Sequence, residues 1–275
     1  MPILNKDMQV CISLAARPSN LGTRFHNFLY DELGLNFIYK AFTTSDLVGA
    51  VAGVRALGIR GCSVSMPFKE DIIKLVDAML PSAQAIESVN TVVNDNGVLT
   101  ASNTDYQAIL DLIQMHSLNR RDSVLVRGSG GMAKAVVAAF NQAGFENLTV
   151  LARNEVRGKA LASRYGFQFS DDALFEAAVS EFDILVNVTP LGMTGEDQQA
   201  LAFPELFIES ARVVFDVVAF PSDTPLISLG QQRGKKVISG AEVSALQAAL
   251  QFETYTGVQL TEDQISRAAR FSRET

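Results

Sequence analysis

Six residues, Gly128-Ser129-Gly130-Gly131-Met132-Ala133, limit the architecture of this chain more than any other stretch. They lie between the apolar run Ser123–Arg127, which reads as a strand, and the helical pattern Gly131–Ala143. In a strand–turn–helix of this G-x-G-x-x-A form the first glycine permits the tight turn. The second lets backbone approach a pyrophosphate, and a small residue at Ala133 lets helix and strand pack closely. The helix start then offers unpaired N–H groups to phosphates. No Gly-Lys-Ser/Thr follows at P-loop spacing. A merely tight turn is the plain alternative, and the strand–helix–strand frame around the loop favours a dinucleotide site. The end of the next strand indicates which dinucleotide. A carboxylate there would hold the ribose 2′-hydroxyl of NAD. This chain instead has Ala152-Arg153-Asn154, with Arg157 one helical turn on and Glu155 already inside the helix. Two guanidiniums near a helix start are misplaced against its dipole unless an anion accompanies them, which points to the 2′-phosphate of NADP.

The rest of the chain extends this α/β reading. Short apolar runs alternate with longer helical patterns, as in parallel strands joined by helices. In the first half, Val10–Leu14, Asn36–Phe42 and Gly61–Ser65 read as strands. Thr23–Leu33, Ser45–Leu57 (opened by a Ser cap) and Lys69–Met79 read as helices, and Asn96-Gly97 as a type I′ turn between Ser88–Asn94 and Val98–Ser102. The second half adds a helix at Asp105–Met115, strands at Asn147–Ala152, Asp183–Val188, Val213–Val218 and Lys236–Ile238, and helices at Glu155–Tyr165, Gly240–Tyr255 and Glu262–Phe271. The expected domains are residues 1–104, rejoined by helices in 240–275, and a Rossmann-type doubly wound parallel sheet in 105–239. Hydrophobic residues at 48% can bury a sizeable core, and 23 Lys plus Arg against 30 Asp plus Glu give a net charge of −7 without a basic stripe for nucleic acid. Apolar runs stop well short of the ~20 residues of a membrane span. Met1–Asp7 lacks the basic patch and apolar stretch of a signal peptide, so a cytoplasmic protein is expected. Cys11 and Cys62 read as buried thiols, and two histidines without partners at ligand spacing predict no metal site.

Three polar residues follow apolar strands in the first half: Lys69 after Ser65-Met66-Pro67-Phe68, Asn90 in Val89-Asn90-Thr91, and Asp105 in Asn103-Thr104-Asp105. Hydroxyl–ketone interconversion by hydride transfer needs a proton shuttle and donors that orient the oxygen. A Lys beside an Asp meets that need. Each also has a bland reading, Lys69 as a surface helix residue and Asp105 as a helix N-cap.

In sequence order these segments resemble the shikimate/quinate dehydrogenases, and within them the divergent shikimate dehydrogenase-like group. Ser65–Lys69 is similar to that family's T-x-P-x-K, Val89–Thr91 to V-N-T, and Asn103–Asp105 to N-T-D. Gly128–Ala133 resembles G-A-G-G-A-A, Ala152–Asn154 resembles N-R-T, and Asn187-Val188-Thr189 with Gly192-Met193 matches N-x-T-x-x-G-M. Gly240 and Gln247 match the C-terminal G and Q. The resemblance covers essentially the whole chain and implies a two-domain, NADP-linked dehydrogenase of a cyclohexene polyol carboxylate. It implies Lys69 and Asp105 as the catalytic pair, and Ser65, Asn90 and Gln247 as holders of ring hydroxyls. Gly128, Ser129, Gly130, Gly131, Met132, Ala133, Arg153, Asn154, Arg157, Thr189 and Gly240 would bind cofactor. A small cyclic hydroxy acid would be the partner, the chain acting as monomer or homodimer.

The departures bear on substrate. Where the family has S-x-S-P before H-N, this chain has Asn20-Leu21-Gly22-Thr23, and the two hydroxyls that grip the substrate carboxylate are missing. Losing two hydrogen bonds to a charged group costs roughly 3 kcal/mol, over a hundredfold in binding. Nearby Ser13, Ser19 and Thr23 are the available substitutes. Asp216-Val217-Val218 is followed by Ala219 where the family has tyrosine, and Ala152 replaces the asparagine of N-R-T. The expectation is a dehydrogenase with altered carboxylate recognition, weak on shikimate or acting on a quinate- or aminoshikimate-like ring. The alternative is an NADP-binding sensor of the same fold; retention of Lys69 together with Asp105 favours the enzyme.

Overall fold

The computed structural model describes residues 4–171 and 181–274. The chain divides into two compact units, residues 1–104 with 245–275, and residues 105–244.

The first unit is built on β1 (Gln9–Ala15), α1 (Leu21–Glu32), β2 (Phe37–Thr43), α2 (Leu47–Ala56) and β3 (Gly61–Val64). These strands are parallel, with β1 between β2 and β3. The next two, β4 (Ala78–Met79) and β5 (Thr91–Asp95), are followed by β6 (Val98–Ser102) to complete the order β2-β1-β3-β5-β6-β4. The sheet is mixed rather than wholly parallel, because Asn96 (φ 54°) and Gly97 (φ 91°) turn β5 directly back on β6. Period-two alternation sorts its faces. Ile12, Leu14, Cys62 and Val64 pack with Val51, Val54 and Ile72, whereas Cys11 and Tyr39 face α1 and two C-terminal helices, α9 (Gly240–Thr256) and α10 (Glu262–Arg273).

Two local readings of this unit are corrected. The cap of α2 is Asp46, whose Oδ1 accepts from Gly49 N at 2.8 Å, not Ser45. A Cβ at Gly49 would meet that carboxylate at 2.3 Å, so the glycine makes room for the cap. The stretch Lys69–Met79 is not one helix but a 3-10 turn, Asp71–Leu75, followed by β4, with a short helix α3 (Pro81–Ile86) after it. The physical reason lies at Asp77. Its carboxylate takes Arg55 Nη1 at 2.6 Å and Leu99 N at 2.7 Å, drawing the chain out beside β6.

The second unit contains α4 (Thr104–Met115, of which Thr104 belongs to the first unit), β7 (Val124–Arg127), α5 (Gly131–Gln142), β8 (Leu148–Ala152), α6 (Glu155–Arg164) and β9 (Gln168–Asp171). After residues 172–180 come β10 (Ile184–Asn187), α7 (Glu205–Ser210), β11 (Val213–Asp216), α8 (Pro225–Gln232) and β12 (Lys236–Ile238). All pairings are parallel in the order β12-β11-β10-β7-β8-β9, a doubly wound Rossmann-type sheet. Up to their polar last residues, Arg127, Asn187 and Asp216, the central strands are buried apolar runs, as expected for a sheet covered on both faces. Among the described residues no helix is long and apolar enough to cross a membrane.

Candidate active site and dinucleotide cradle

Each sheet has one place where the chain reverses its direction of winding, and in open α/β sheets ligands bind outside the carboxyl ends of the strands there. In the second unit that place is between β7 and β10. Gly128 leaves β7 with φ 128°, and its N–H still pairs with Leu151 O at 2.8 Å. A Cβ on it would lie 2.7 Å from Val188 Cγ2 and 3.1 Å from Val188 O, so only glycine lets these two strand ends meet. Gly130 is the extended N-cap of α5, and Cβ atoms at Gly130 or Gly131 would meet nothing within 4 Å. The N-terminus of α5 therefore faces open space, as a pyrophosphate requires. Met132 is half-buried, and Ala133 is fully buried where helix meets strand.

The β8 end places Arg153 and Arg157 beside this loop. Both are exposed, and neither guanidinium has a hydrogen bond or ion pair among the described residues. Asn154 has a structural duty: its Oδ1 caps α6 by accepting from Arg157 N at 3.0 Å. Glu155 pairs with Lys159 at 2.5 Å, leaving no carboxylate at the strand end itself. Thr189 follows β10, its hydroxyl donating to Asn187 Oδ1 at 2.6 Å and accepting from Leu191 N at 3.2 Å. Gly240 opens α9 against backbone, since a Cβ there would meet Val218 O at 2.1 Å. Behind these loops is a network absent from the sequence reading. Buried Asp216 accepts from Asn187 Nδ2 (3.0 Å), Val218 N (3.0 Å) and Thr224 Oγ1 (2.6 Å), tying the β10 and β11 ends together. Burial nevertheless pushes its carboxyl up to about 6.

In the first unit the reversal lies between β1 and β3. Ser65 follows β3, exposed, its N–H on Leu14 O at 2.9 Å. Lys69 is half-buried on the following turn, and its carbonyl accepts from Val89 N at 2.8 Å, which fixes it beside Asn90. Asn90 is buried, with Oδ1 accepting from Thr104 N (2.8 Å) and Thr91 Oγ1 (2.8 Å) while Nδ2 donates to Thr104 Oγ1 (3.0 Å). The second Nδ2 proton has no acceptor among the described residues. Thr104 ends this unit, and Asp105 follows it in the first turn of α4. Gln247 is half-buried on α9. One turn on, Gln251 is the residue the sequence reading missed. It accepts from Ser63 Oγ at 2.7 Å and donates to Asn90 O (3.2 Å) and Thr91 Oγ1 (3.0 Å). The only sequence signal was its four-residue spacing from Gln247.

Asn20, Gly22 and Thr23 lie at the start of α1, which begins without a side-chain cap. Below them His26 is fully buried, stacked on Tyr39 at 4.4 Å with 8° between planes and flanked by Phe25 and Phe252. Neither ring nitrogen has a hydrogen-bond partner among the described residues.

Comparisons with known proteins agree with the fold of the two units. A shikimate dehydrogenase substrate binding domain family matches residues 19–92, and the shikimate / quinate 5-dehydrogenase family matches residues 111–192. A shikimate dehydrogenase-like protein of Haemophilus influenzae is 57% identical over 272 residues, covering 98% of this chain and 99% of that one. A solved shikimate 5-dehydrogenase-like protein superposes with TM-score 0.95, covering 99% of this chain and 100% of that chain. The Thermus thermophilus shikimate 5-dehydrogenase, solved with NADP(H) and shikimate, superposes with TM-score 0.85 at 31% identity, covering 96% of this chain and 100% of its own. With its two domain types matched in order and a relative more than half identical end to end, this chain belongs to the shikimate/quinate dehydrogenase family, in its shikimate dehydrogenase-like group.

Proposed function

We propose that this chain is an NADP-dependent dehydrogenase that interconverts shikimate, or a quinate- or aminoshikimate-like ring acid, with its 3-dehydro ketone. The observation that carries the cofactor choice is the pair Arg153 and Arg157, two exposed guanidiniums without partners among the described residues, beside an open helix start and with no carboxylate at the end of β8. Such a site fits a 2′-phosphate and leaves NAD without its usual ribose acceptor. Thermus thermophilus shikimate dehydrogenase, of the same fold, was solved with NADP(H).

When bound, the nicotinamide supplies the hydride acceptor and donor. The chain's own residues do the rest. Lys69 takes the proton from the ring hydroxyl as its carbon is oxidised, and returns it to the ketone oxygen in reduction. Asp105 orients the Lys69 side chain and the hydroxyl. Asn90, locked by Thr104 and Thr91, has one amide proton left for a ring oxygen. Ser65 and Gln247 hold further hydroxyls. The 1–104 and 240–275 segments would form the substrate domain and 105–239 the NADP domain, in a cytoplasmic monomer or homodimer.

The test offers shikimate, quinate and aminoshikimate in parallel with NADP and with NAD, following reduced nicotinamide by its absorbance. NADP reduction with one of these rings is expected. Tight NADP binding with no turnover on any ring would transfer the chain to the sensor reading.

A further inference from the structure

Gly240 lies so close to the end of β11 that a Cβ on it would meet Val218 O at 2.1 Å and Val217 C at 2.6 Å. Such an approach lasts only if the first turn of α9 is held in place. One device is internal to the helix. Ser239 precedes α9 and Glu242 is its third residue, and the two cap each other. Glu242 Oε2 accepts from Ser239 N at 2.7 Å and from Ser239 Oγ at 2.9 Å, while Glu242 N donates to Ser239 Oγ at 3.4 Å. That occupies one oxygen of the carboxylate.

The other oxygen reaches out of the helix. Glu242 Oε1 lies 3.0 Å from His116 Nε2, and because a carboxylate only accepts, Nε2 carries the proton. His116 directly follows α4, its N–H on Leu112 O at 2.9 Å. Its carbonyl accepts from Lys236 Nζ at 2.7 Å, at the start of β12. Imidazole and carboxylate each occupy the helix end whose dipole favours them, the end of α4 and the start of α9. The seat of Gly240 is fixed as well. Asp216 Oδ1 accepts from Val218 N and from Asn187 Nδ2, and Asn187 in turn holds Thr189. The first turn of α9 is therefore tied to the β11 end at Gly240 and to the α4 end at Glu242.

We infer that His116 is a positioning residue for the cofactor: through Glu242 it fixes the first turn of α9 and so keeps Gly240 at the dinucleotide cradle. The inference rests on the NADP reading of that cradle and deepens it. Its effect belongs to NADP affinity rather than to the chemical step.

The experiment measures NADP binding by calorimetry for the wild type, His116→Leu, His116→Gln and Glu242→Gln, with melting curves for each. Glutamine at 116 keeps a donor where the imidazole Nε2 stands, and glutamine at 242 keeps an acceptor for Ser239. Arg212→Ala is the control for plain destabilisation, because Arg212 ties Asp122 to Asp183 at the amino ends of the same sheet. His116→Leu is expected to bind NADP about fivefold more weakly, the effect of losing one half-exposed ion pair. Both glutamine variants and Arg212→Ala are expected to stay within about twofold of wild type. With the best ring acid, His116→Leu should raise KM for NADP and leave kcat unchanged. The inference is overturned, and the NADP reading left intact, if His116→Leu binds NADP as wild type does. It is equally overturned if His116→Gln or Arg212→Ala loses as much affinity as His116→Leu, or if kcat falls at unchanged KM. A wild type that binds no NADP overturns both.

Discussion

Acidification should destabilise the first unit through His26. The imidazole sits in an aromatic box with no hydrogen bond to either nitrogen among the described residues, and Gln251, which approaches it, has its amide committed to Ser63, Asn90 and Thr91. Burial therefore pushes its pKa from 6.5 down to about 3. Unfolded chain takes up a proton below pH 6.5 while folded chain refuses one until about pH 3. In that window the unfolded state binds more protons, so stability is full above pH 6.5 and falls with acid. At 1.36 kcal/mol per pH unit the loss reaches roughly 3 kcal/mol by about pH 4.5 and approaches roughly 5 kcal/mol at the bottom of the window. Those losses are comparable with the whole stability of a domain. His26→Phe keeps an aromatic ring against Tyr39 and removes both the titration and the orphaned nitrogens. Urea unfolding from about pH 7 to pH 4.5 should show wild type losing roughly 3 kcal/mol relative to the variant. Parallel stability curves for the two proteins, or an NMR titration of His26 above pH 5.5, would refute the reasoning.

Other expectations follow from single residues. Asp216, its pKa raised from 3.8 to about 6 by burial, holds a proton in the folded chain that the unfolded chain has released. Its contribution is full below pH 3.8 and is lost as pH rises through 6. Asp216→Asn should therefore lack a decline of roughly 3 kcal/mol that wild type shows between about pH 4 and pH 7, measured by the same unfolding series. Gly128→Ala puts a methyl 2.7 Å from Val188 Cγ2 at φ 128°. It should cost roughly 1–3 kcal/mol in thermal unfolding and weaken NADP in fluorescence titration. Arg153→Ala, at an exposed side chain, should leave the melting temperature unchanged and weaken NADP roughly tenfold more than NAD; equal losses would remove the 2′-phosphate assignment.

The two units differ in how much of them the sequence discloses. In the second, β7, α5, β8 and α6 are legible because buried parallel strands are unbroken apolar runs, and because a tight strand-to-helix turn leaves its glycines in plain view. The short pieces β9, α7 and α8 are not, since each takes its shape from packing against the sheet rather than from its own periodicity. In the first unit Asn96-Gly97 announces its hairpin. The Asp71–Met79 stretch misleads, because a tertiary contact of Asp77 overrides local helical spacing. The site divides in the same way. Lys69, Asn90 and Asp105 stand out as polar residues after apolar strands. Gln251 looks like an ordinary core position until α9 is seen to bring it against Ser63, Asn90 and Thr91. Asn154, expected at the cofactor, also caps α6, a duty its spacing to Arg157 carries.

The central claim is tested most directly by comparing wild type with Lys69→Ala in paired assays, NADP binding by calorimetry and NADP reduction with the best ring acid. The account predicts that both proteins bind NADP equally, that wild type reduces it in the presence of the ring, and that Lys69→Ala loses at least a hundredfold in kcat. Equal turnover by the two proteins would contradict it, as would a wild type that reduces NAD with the ring and ignores NADP.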